Sequence, residues 1–400
     1  MLTLISLILA GLGGLLCIPV GVLFIEILAA LNSVSEEGPE IAKSEAPKTV
    51  AVIVPAHNES VGIIPTIVDI KPQLQKGDRL IVVADNCSDD TAAVAAAAGA
   101  EVIARDDLTQ TGKGYALAWG INHVGRDPPD FVIFIDADCR IQFDMISRLK
   151  EVCYELRRPV QACFLMKAPE NSRIDHSFAE FAWILKNWVR PLGLRNLSCP
   201  VQLMGTGMIF PWEIICRAAL ASGSLVEDLK LGLDLAAVGK APHFFPFVVG
   251  TSEFPMSHTG TDSQRKRWVH GHVGMILKRL PRLFFLSITK RNLDLLVLTL
   301  DLAVPPLSLL GLLIAGIFVA SCMTWLFGGY SAAVVIAALN LLVFAAAIFL
   351  GWLKFGQGIL SAVAFRSIGS LILEKCRLYG QMLLGRRVTD WIRTDRGKVK

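Results

Sequence analysis

Phe131-Val132-Ile133-Phe134-Ile135-Asp136-Ala137-Asp138 is a wholly apolar run that ends in two carboxylates. A strand covered by helices on both faces has this form, because neither face meets water. In open α/β sheets, ligands bind outside the carboxyl ends of the strands. A strand running over 131–135 therefore delivers Asp136 and Asp138 to the edge where a ligand gathers. In extended chain, residues two apart project to the same side. Paired carboxylate oxygens suit a hard divalent cation, Mg²⁺ or Mn²⁺, which commonly takes substrate phosphates as further ligands. The stretch predicts a seat for a metal and a diphosphate.

The sequence around it repeats the pattern. Val50 to Pro55, Arg79 to Asp85 and Glu101 to Ala104 read as strands, and Thr91 to Ala98 and Gly114 to His123 as the helices between them. Alternating β and α predicts an α/β fold with a mostly parallel sheet. No G-x-G-x-x-G follows the first strand, so a dinucleotide site is not indicated. Instead the first strand ends in Pro55-Ala56-His57-Asn58-Glu59 and the second in Asp85-Asn86-Cys87-Ser88-Asp89. Polar loops thus collect at the sheet edge that also carries Asp136 and Asp138.

The chain has 400 residues, 53% of them apolar, and a net charge of only +4. That is too apolar for a purely soluble enzyme of this size, and the small charge implies no nucleic-acid partner. Leu2 to Leu31 is nearly continuous apolar sequence, interrupted by Pro19 and charged only at Glu26, and is long enough to span a bilayer. With no basic residue before it, it reads as a retained anchor rather than a signal peptide. A second span is predicted between about Leu295 and Phe327, kinked at Pro305-Pro306, and a third from Ser331 to Leu353. Basic residues crowd before the second span (Arg265 to Arg291) and after the third (Lys354 onward). Positively charged loops stay cytoplasmic, so the N-terminus should face outward and the sheet domain and tail inward. The nine cysteines form no C-x-x-C pair and read as reduced thiols. Trp268 to Arg291 and Gly358 to Leu384 suit amphipathic helices at an anionic leaflet. These signals divide the chain into an anchor (1–31), a linker (32–48), the α/β domain (49–263), an interfacial helix (264–292), two spans (293–353) and an amphipathic, basic tail (354–400).

In chain order, the motifs resemble the family 2 glycosyltransferases of GT-A fold, especially the membrane-embedded branch with the cellulose, hyaluronan and poly-N-acetylglucosamine synthases and ceramide glucosyltransferase. Val54-Pro55-Ala56-His57-Asn58-Glu59 matches the nucleotide-binding start, with Pro55, His57 and Glu59 as contacts. Asp85 stands where the family meets the uracil base. Gly112-Lys113-Gly114 is similar to its basic segment near the diphosphate. Asp136-Ala137-Asp138 takes the place of its D-x-D, and Glu227-Asp228 of its E-D pair. Gln202 to Gly207 resembles the acceptor-side loop, with Gly205 and Thr206 letting a sugar approach. Gln264-Arg265-Lys266-Arg267-Trp268 satisfies Q-x-x-R-W.

The resemblance implies a UDP-sugar donor and Mg²⁺ or Mn²⁺ on Asp138, with Asp136 helping to hold the nucleotide. Lys113 and Arg267 add positive charge at the diphosphate. Asp228 is the expected general base, with Glu227 orienting it or raising its pKa by like-charge repulsion. Gln264 offers amide hydrogen bonds, and Trp268 a face for a sugar ring. One base and no protein nucleophile imply inversion, an α-linked donor giving a β-linkage. The expected setting is exopolysaccharide or envelope-glycan assembly at the inner membrane, with a glycan acceptor and export or assembly subunits as possible partners. Addition of one sugar to a membrane lipid is the alternative, because three spans are few for a polymer channel. A catalytically silent scaffold is the alternative of another class. His270 and His272 are expected to be structural, and Trp183 and Trp188 to pack a helix.

Overall fold

A computed structural model describes residues 1–32, 48–169, 174–255 and 258–361, with scattered positions between 364 and 380. Most of the predicted linker, more than half of the second amphipathic stretch and the last twenty residues lie outside that range.

Eight strands form one sheet: β1 (Val50–Ala56), β2 (Arg79–Asp85), β3 (Glu101–Arg105), β4 (Phe131–Phe134), β5 (Arg140–Ile141), β6 (Val160–Lys167), β7 (Met208–Pro211) and β8 (His243–Glu253). Their order is β3-β2-β1-β4-β7-β6-β8-β5. The β3-β2-β1-β4 half is parallel, as is β6 with β8, while β7 and β5 pair antiparallel with their neighbours. This is a GT-A-like α/β fold. Every residue of β4 is buried, and the run that opened the sequence reading lies at the middle of the sheet. Val50, Val52, Val54 and Ile133 face one helix layer, and Ala51, Ile53, Val132 and Phe134 the other. Alternate residues fill opposite cores because side chains alternate across a strand.

One local expectation is corrected. Asp136-Ala137-Asp138 is a turn beyond the strand, closed by the Cys139 amide donating to the Asp136 carbonyl at 3.2 Å. The two carboxylates converge because the chain turns, not because of pleat geometry.

Three helices are long and apolar enough to cross a membrane: Leu2–Ala30, Leu307–Leu326 and Ser331–Phe355. Leu4, Leu15, Leu326, Val335 and Leu342 are among their exposed apolar side chains, a surface suited to lipid rather than water. The first and third run parallel. Ser6 Oγ accepts from the Tyr330 amide at 3.2 Å, Asn340 donates to the Gly13 carbonyl at 2.8 Å, and Gly351 packs near Ile27. Both end at the sheet domain, and Leu307–Leu326 packs beside them in the opposite sense. The N-terminus is thus at the far end from the sheet. The expected second span differs: Pro305-Pro306 breaks it rather than kinking it. Leu293–Leu302 is a separate helix with Leu295 and Leu298 buried beside the domain. Proline cannot donate the amide hydrogen bond that would carry the helix through. The interfacial stretch is part of one longer helix, His258–Thr289.

Candidate active site

The carboxyl edge of the sheet opens into a cavity of about 270 Å³. Pro55 enters it from the end of β1, His57 and Glu59 from the loop that follows, Asp136 and Asp138 from the turn after β4, and Glu227 and Asp228 from the first turn of the helix Glu227–Ala237. Lys113, Gly205, Gln264, Arg267 and Trp268 complete the expected set. Two expected residues lie off the cavity. Asp85 is fully buried and paired with Arg105 at 2.6 Å. Burial raises its pKa, and the Arg105 guanidinium only partly offsets this. Its backbone carbonyl meets His57 Nδ1 at 2.8 Å, so Asp85 supports the loop that lines the cavity. Thr206 is buried under the floor, where its Oγ1 accepts from the Asp136 amide at 3.0 Å.

Lys113 is the hub. It begins the helix Lys113–Val124 after Gly112, whose φ of +127° suits glycine. Gly114 is required by contact, because a Cβ there would lie 2.7 Å from the carbonyl oxygens of Leu220 and Ser222. So fixed, the ammonium pairs with Asp136, donates to the Gly205 carbonyl at 2.7 Å and lies 3.8 Å from Glu227. Burial works against its charge, but Asp136 and Glu227 outweigh it and hold the amine above its ordinary range. Gly205 has φ +93°, and its missing Cβ would lie 3.3 Å from Asp228 Oδ2 and 3.5 Å from Lys113 Nζ. The floor loop is held by Gln161, which donates to the Thr206 carbonyl and accepts from the Met204 amide, both at 2.8 Å.

The two acids at 227 and 228 bind protons more tightly than ordinary carboxyls. Burial pushes Glu227 up to about 7, against the pull of Lys113 and with the charge of Asp228 adding to the rise. Burial also raises Asp228, opposed by Lys113, the Leu229 amide and Lys186, with Asp136 adding to the rise. The expected cause, repulsion from Glu227, is thus secondary to desolvation, which disfavours any charge taken out of water. Arg267 feels the charges of Glu227 and Asp136 but is desolvated enough to fall below its usual value.

Single ligand atoms of Asp136, Asp138 and Cys139 lie within 4.8 Å of one another. Burial, with the charge of Asp136, pushes the Cys139 thiol up to about 12. The useful donors are therefore two carboxylates, a set that fits Mg²⁺ or Mn²⁺ and not a thiolate-seeking metal.

The sequence reading missed one wall. Trp183 does more than pack a helix: it lines the cavity, with its ring 4.6 Å from that of Trp268, and its Nε1 donates to the Phe164 carbonyl at 3.2 Å. Trp188 packs as expected, 5.5 Å from Phe355. Lys186 and Asn187 line the cavity from a π-helical turn, Leu185–Val189. Such turns break the α-helical register and often mark functional sites. Arg190 follows, sandwiched between Glu26, at 2.5 Å, and Asp301. His272 meets the Leu302 carbonyl at 3.2 Å, and burial takes its pKa down to about 4, so it is neutral. Neither His270 nor His272 joins a metal-ligand cluster among the described residues. The one sequence signal for this wall was Glu26, a carboxylate inside an apolar span that demands a partner.

The sequence profile of the glycosyl transferase family group 2 matches residues 131–350, more than half of the chain. The protein belongs to this family. The glycosyl transferase family 2 profile also matches, over residues 51–196. Together the two take in the sheet, the acid-lined cavity and most of the membrane-length helices. Among curated proteins, glucosyl-3-phosphoglycerate synthase of Mycobacterium tuberculosis is 37% identical over 106 residues, 25% of this chain and 32% of that enzyme. The low-salt glycan biosynthesis hexosyltransferase Agl6 of Haloferax volcanii is 35% identical over 112 residues, 27% of this chain and 25% of that one. The chain thus spans only about a third or less of the length of these relatives. Among solved structures, the mannosyltransferase PcManGT of Pyrobaculum calidifontis, in complex with GDP-Man and Mn²⁺, aligns with TM-score 0.54 and 16% identity over 88% of this chain and 98% of that one. At that identity the likeness is one of fold.

Proposed function

We propose that this protein is a metal-dependent inverting glycosyltransferase that moves a hexose from a UDP-sugar to an envelope-glycan acceptor at the cytoplasmic membrane. The observation that carries the reading is that Asp136, Asp138, Lys113, Arg267 and Asp228 line one cavity. Asp138 and Asp136 would hold Mg²⁺ or Mn²⁺, which when bound supplies positive charge for the diphosphate leaving group. Lys113 and Arg267 add charge on the same side, in a desolvated setting where it counts most. Pro55, His57 and Glu59 flank the nucleotide, and the nucleobase extends toward β2 and Asp85.

Asp228 takes the proton of the acceptor hydroxyl. Its raised proton affinity makes it a better base than an exposed aspartate, provided the pH keeps it ionised. The acceptor oxygen bonds to the anomeric carbon as the carbon–phosphate oxygen bond breaks, and the nucleoside diphosphate leaves with the electron pair. No second carboxylate is needed as a nucleophile, so configuration inverts. Trp268, braced by Trp183, offers a face to the sugar, and Gln264 an amide. The floor at Gly205 lets the sugar approach the backbone beside Asp228. The three apolar helices anchor the chain with its N-terminus outside and its acid-lined edge at the cytoplasmic surface, where export or assembly subunits would meet the product.

The full chain, purified in detergent with Mn²⁺, should release nucleoside diphosphate from one member of a donor panel. The panel comprises UDP-glucose, UDP-galactose, UDP-N-acetylglucosamine, UDP-glucuronate and GDP-mannose, the last because PcManGT binds it. No release from any donor would favour the silent scaffold, and release unaffected by chelation would remove the metal. A second reading, transfer of one sugar to a membrane lipid, is favoured by an apolar groove that joins the cavity.

A further inference from the structure

The groove has a volume of about 600 Å³ and an almost wholly apolar lining. One side is formed by Phe178, Phe181 and Trp183, and the other by Leu312 and Ala315 of the helix Leu307–Leu326 and Phe344 of the helix Ser331–Phe355. Two of its walls are thus helices of membrane-spanning length, so the groove stands at the level of the bilayer. It is continuous with the acid-lined cavity, since Trp183, Lys186, Arg190, Gln264, Trp268 and His272 line both.

The charged groups at the junction are not equivalent. Arg190 is neutralised by Glu26 and Asp301, and His272 is neutral against the Leu302 carbonyl. Lys186 is different. Among the described residues it makes no hydrogen bond or ion pair, and its ammonium lies 5.4 Å over the Trp183 ring. Its side chain is exposed and lines both the groove and the cavity. Asp228, Arg190 and Asp301 are the charged groups near enough to act on it. An unpaired ammonium where the apolar groove meets the cavity offers a charge-assisted contact to an anionic group.

We propose that the acceptor is an anionic membrane lipid whose head group carries a free hydroxyl, with its apolar chain in the groove, its phosphate on Lys186 and its hydroxyl at Asp228. This rests on the second glycosyltransferase reading, transfer of one sugar to a membrane lipid in place of a glycan, and names the class of that lipid. The two polar parts of such a head group match the cation at the junction, Lys186, and the base in the adjoining cavity, Asp228. A lipid chain lying in the groove rests against apolar walls and stays out of water. In the transfer, the hydroxyl oxygen bonds to the anomeric carbon, its proton passes to Asp228, and the nucleoside diphosphate leaves. The lipid phosphate keeps all its bonds.

The test supplies the full chain in nanodiscs with the active nucleotide sugar and one of three lipids. Phosphatidylglycerol has both phosphate and hydroxyl, diacylglycerol only the hydroxyl, and phosphatidic acid only the phosphate. Labelled, organic-extractable product is expected from phosphatidylglycerol at a rate at least tenfold above the other two. Lys186→Gln should raise the KM for phosphatidylglycerol at least tenfold, with Lys186→Arg restoring most of it. Ala315→Trp, which fills the groove away from the reacting atoms, should do the same. Equal use of diacylglycerol would overturn the role of Lys186, and preferential glycosylation of phosphatidic acid would overturn the hydroxyl. Transfer to a water-soluble glycan, undiminished in Ala315→Trp, would overturn the lipid acceptor altogether. Nucleotide binding by the same nanodiscs, read by calorimetry, separates the two levels. Nucleotide bound and sugar moved elsewhere refutes this proposal alone, whereas no binding of any nucleotide refutes the transferase reading beneath it.

Discussion

Replacing Asp228 with Asn should abolish sugar transfer while leaving the nucleotide in place. The substitution keeps the side chain's size, so the tight approach of Gly205 is undisturbed. It removes the only proton acceptor assigned to the acceptor hydroxyl. A positioned general base contributes about 10²–10⁴-fold to rate, equivalent to about 3–5 kcal/mol of barrier at roughly 1.4 kcal/mol per tenfold. The upper end is expected, because burial raises the proton affinity of Asp228. Lys113 stays anchored by Asp136, the Gly205 carbonyl and Glu227. Nucleotide affinity should therefore be nearly unchanged. The assay pairs labelled-sugar transfer with calorimetric titration of UDP and Mn²⁺. In the parent protein, activity should rise with pH through a window above the ordinary aspartate range, as the base ionises. That acid limb should vanish in Asp228→Asn. A variant that keeps transfer at near-parental rate, or that loses transfer and nucleotide binding together, would refute the assignment.

Asp138→Asn should raise the Mn²⁺ concentration for half-activation by more than about 100-fold, since even outer partners of a metal site are worth about 10–100-fold in affinity; a metal titration of activity checks this. Gly205→Ala should lower both kcat and thermal stability, because it forces a left-handed backbone worth about 1–3 kcal/mol of strain and crowds Asp228 at 3.3 Å. Arg190→Met should destabilise the protein by about 3–5 kcal/mol, the usual result of stripping the partner from buried charge, while the triple change Glu26→Gln, Arg190→Met, Asp301→Asn should recover much of the loss in thermal melts in detergent. The raised pKa of Glu227 carries a stability sign. Below its ordinary value of 4.5 the carboxyl is protonated in both states, and between there and about 7 only the unfolded chain ionises. Its contribution is therefore lost as pH rises through that window, and Glu227→Gln should gain stability relative to the parent between pH 5 and pH 8.

Much of the α/β domain was legible because its strands are short, fully buried and bounded by turn residues. β1, β2 and β4 stand within a residue or two of their expected limits, as does the helix carrying Lys113. The first and third long apolar helices were equally plain, since length and hydropathy need no partner to be read, whereas the second begins at Leu307 rather than near Leu295. What escaped were features set by contact between distant segments. The break at Pro305-Pro306 left Leu293–Leu302 as a domain helix because Leu295 and Leu298 had a core to enter. Trp183 read as packing because an aromatic on an apolar helix face gives no sign of whether a hollow lies beyond it.

Residue order alone placed carboxylates at the ends of buried strands and set out a sheet domain and three long apolar helices, because side-chain periodicity and the length of apolar runs are local properties. Only the folded chain decided which charges meet: that Lys113 ties Asp136 to Glu227, that Asp85 is spent on Arg105, and that Arg190 satisfies Glu26 across 164 residues of sequence. It alone revealed that the acid-lined cavity continues into an apolar groove walled in part by membrane-length helices. Electrostatic pairing and cavity shape act through space, over distances that the spacing of residues along a chain does not encode.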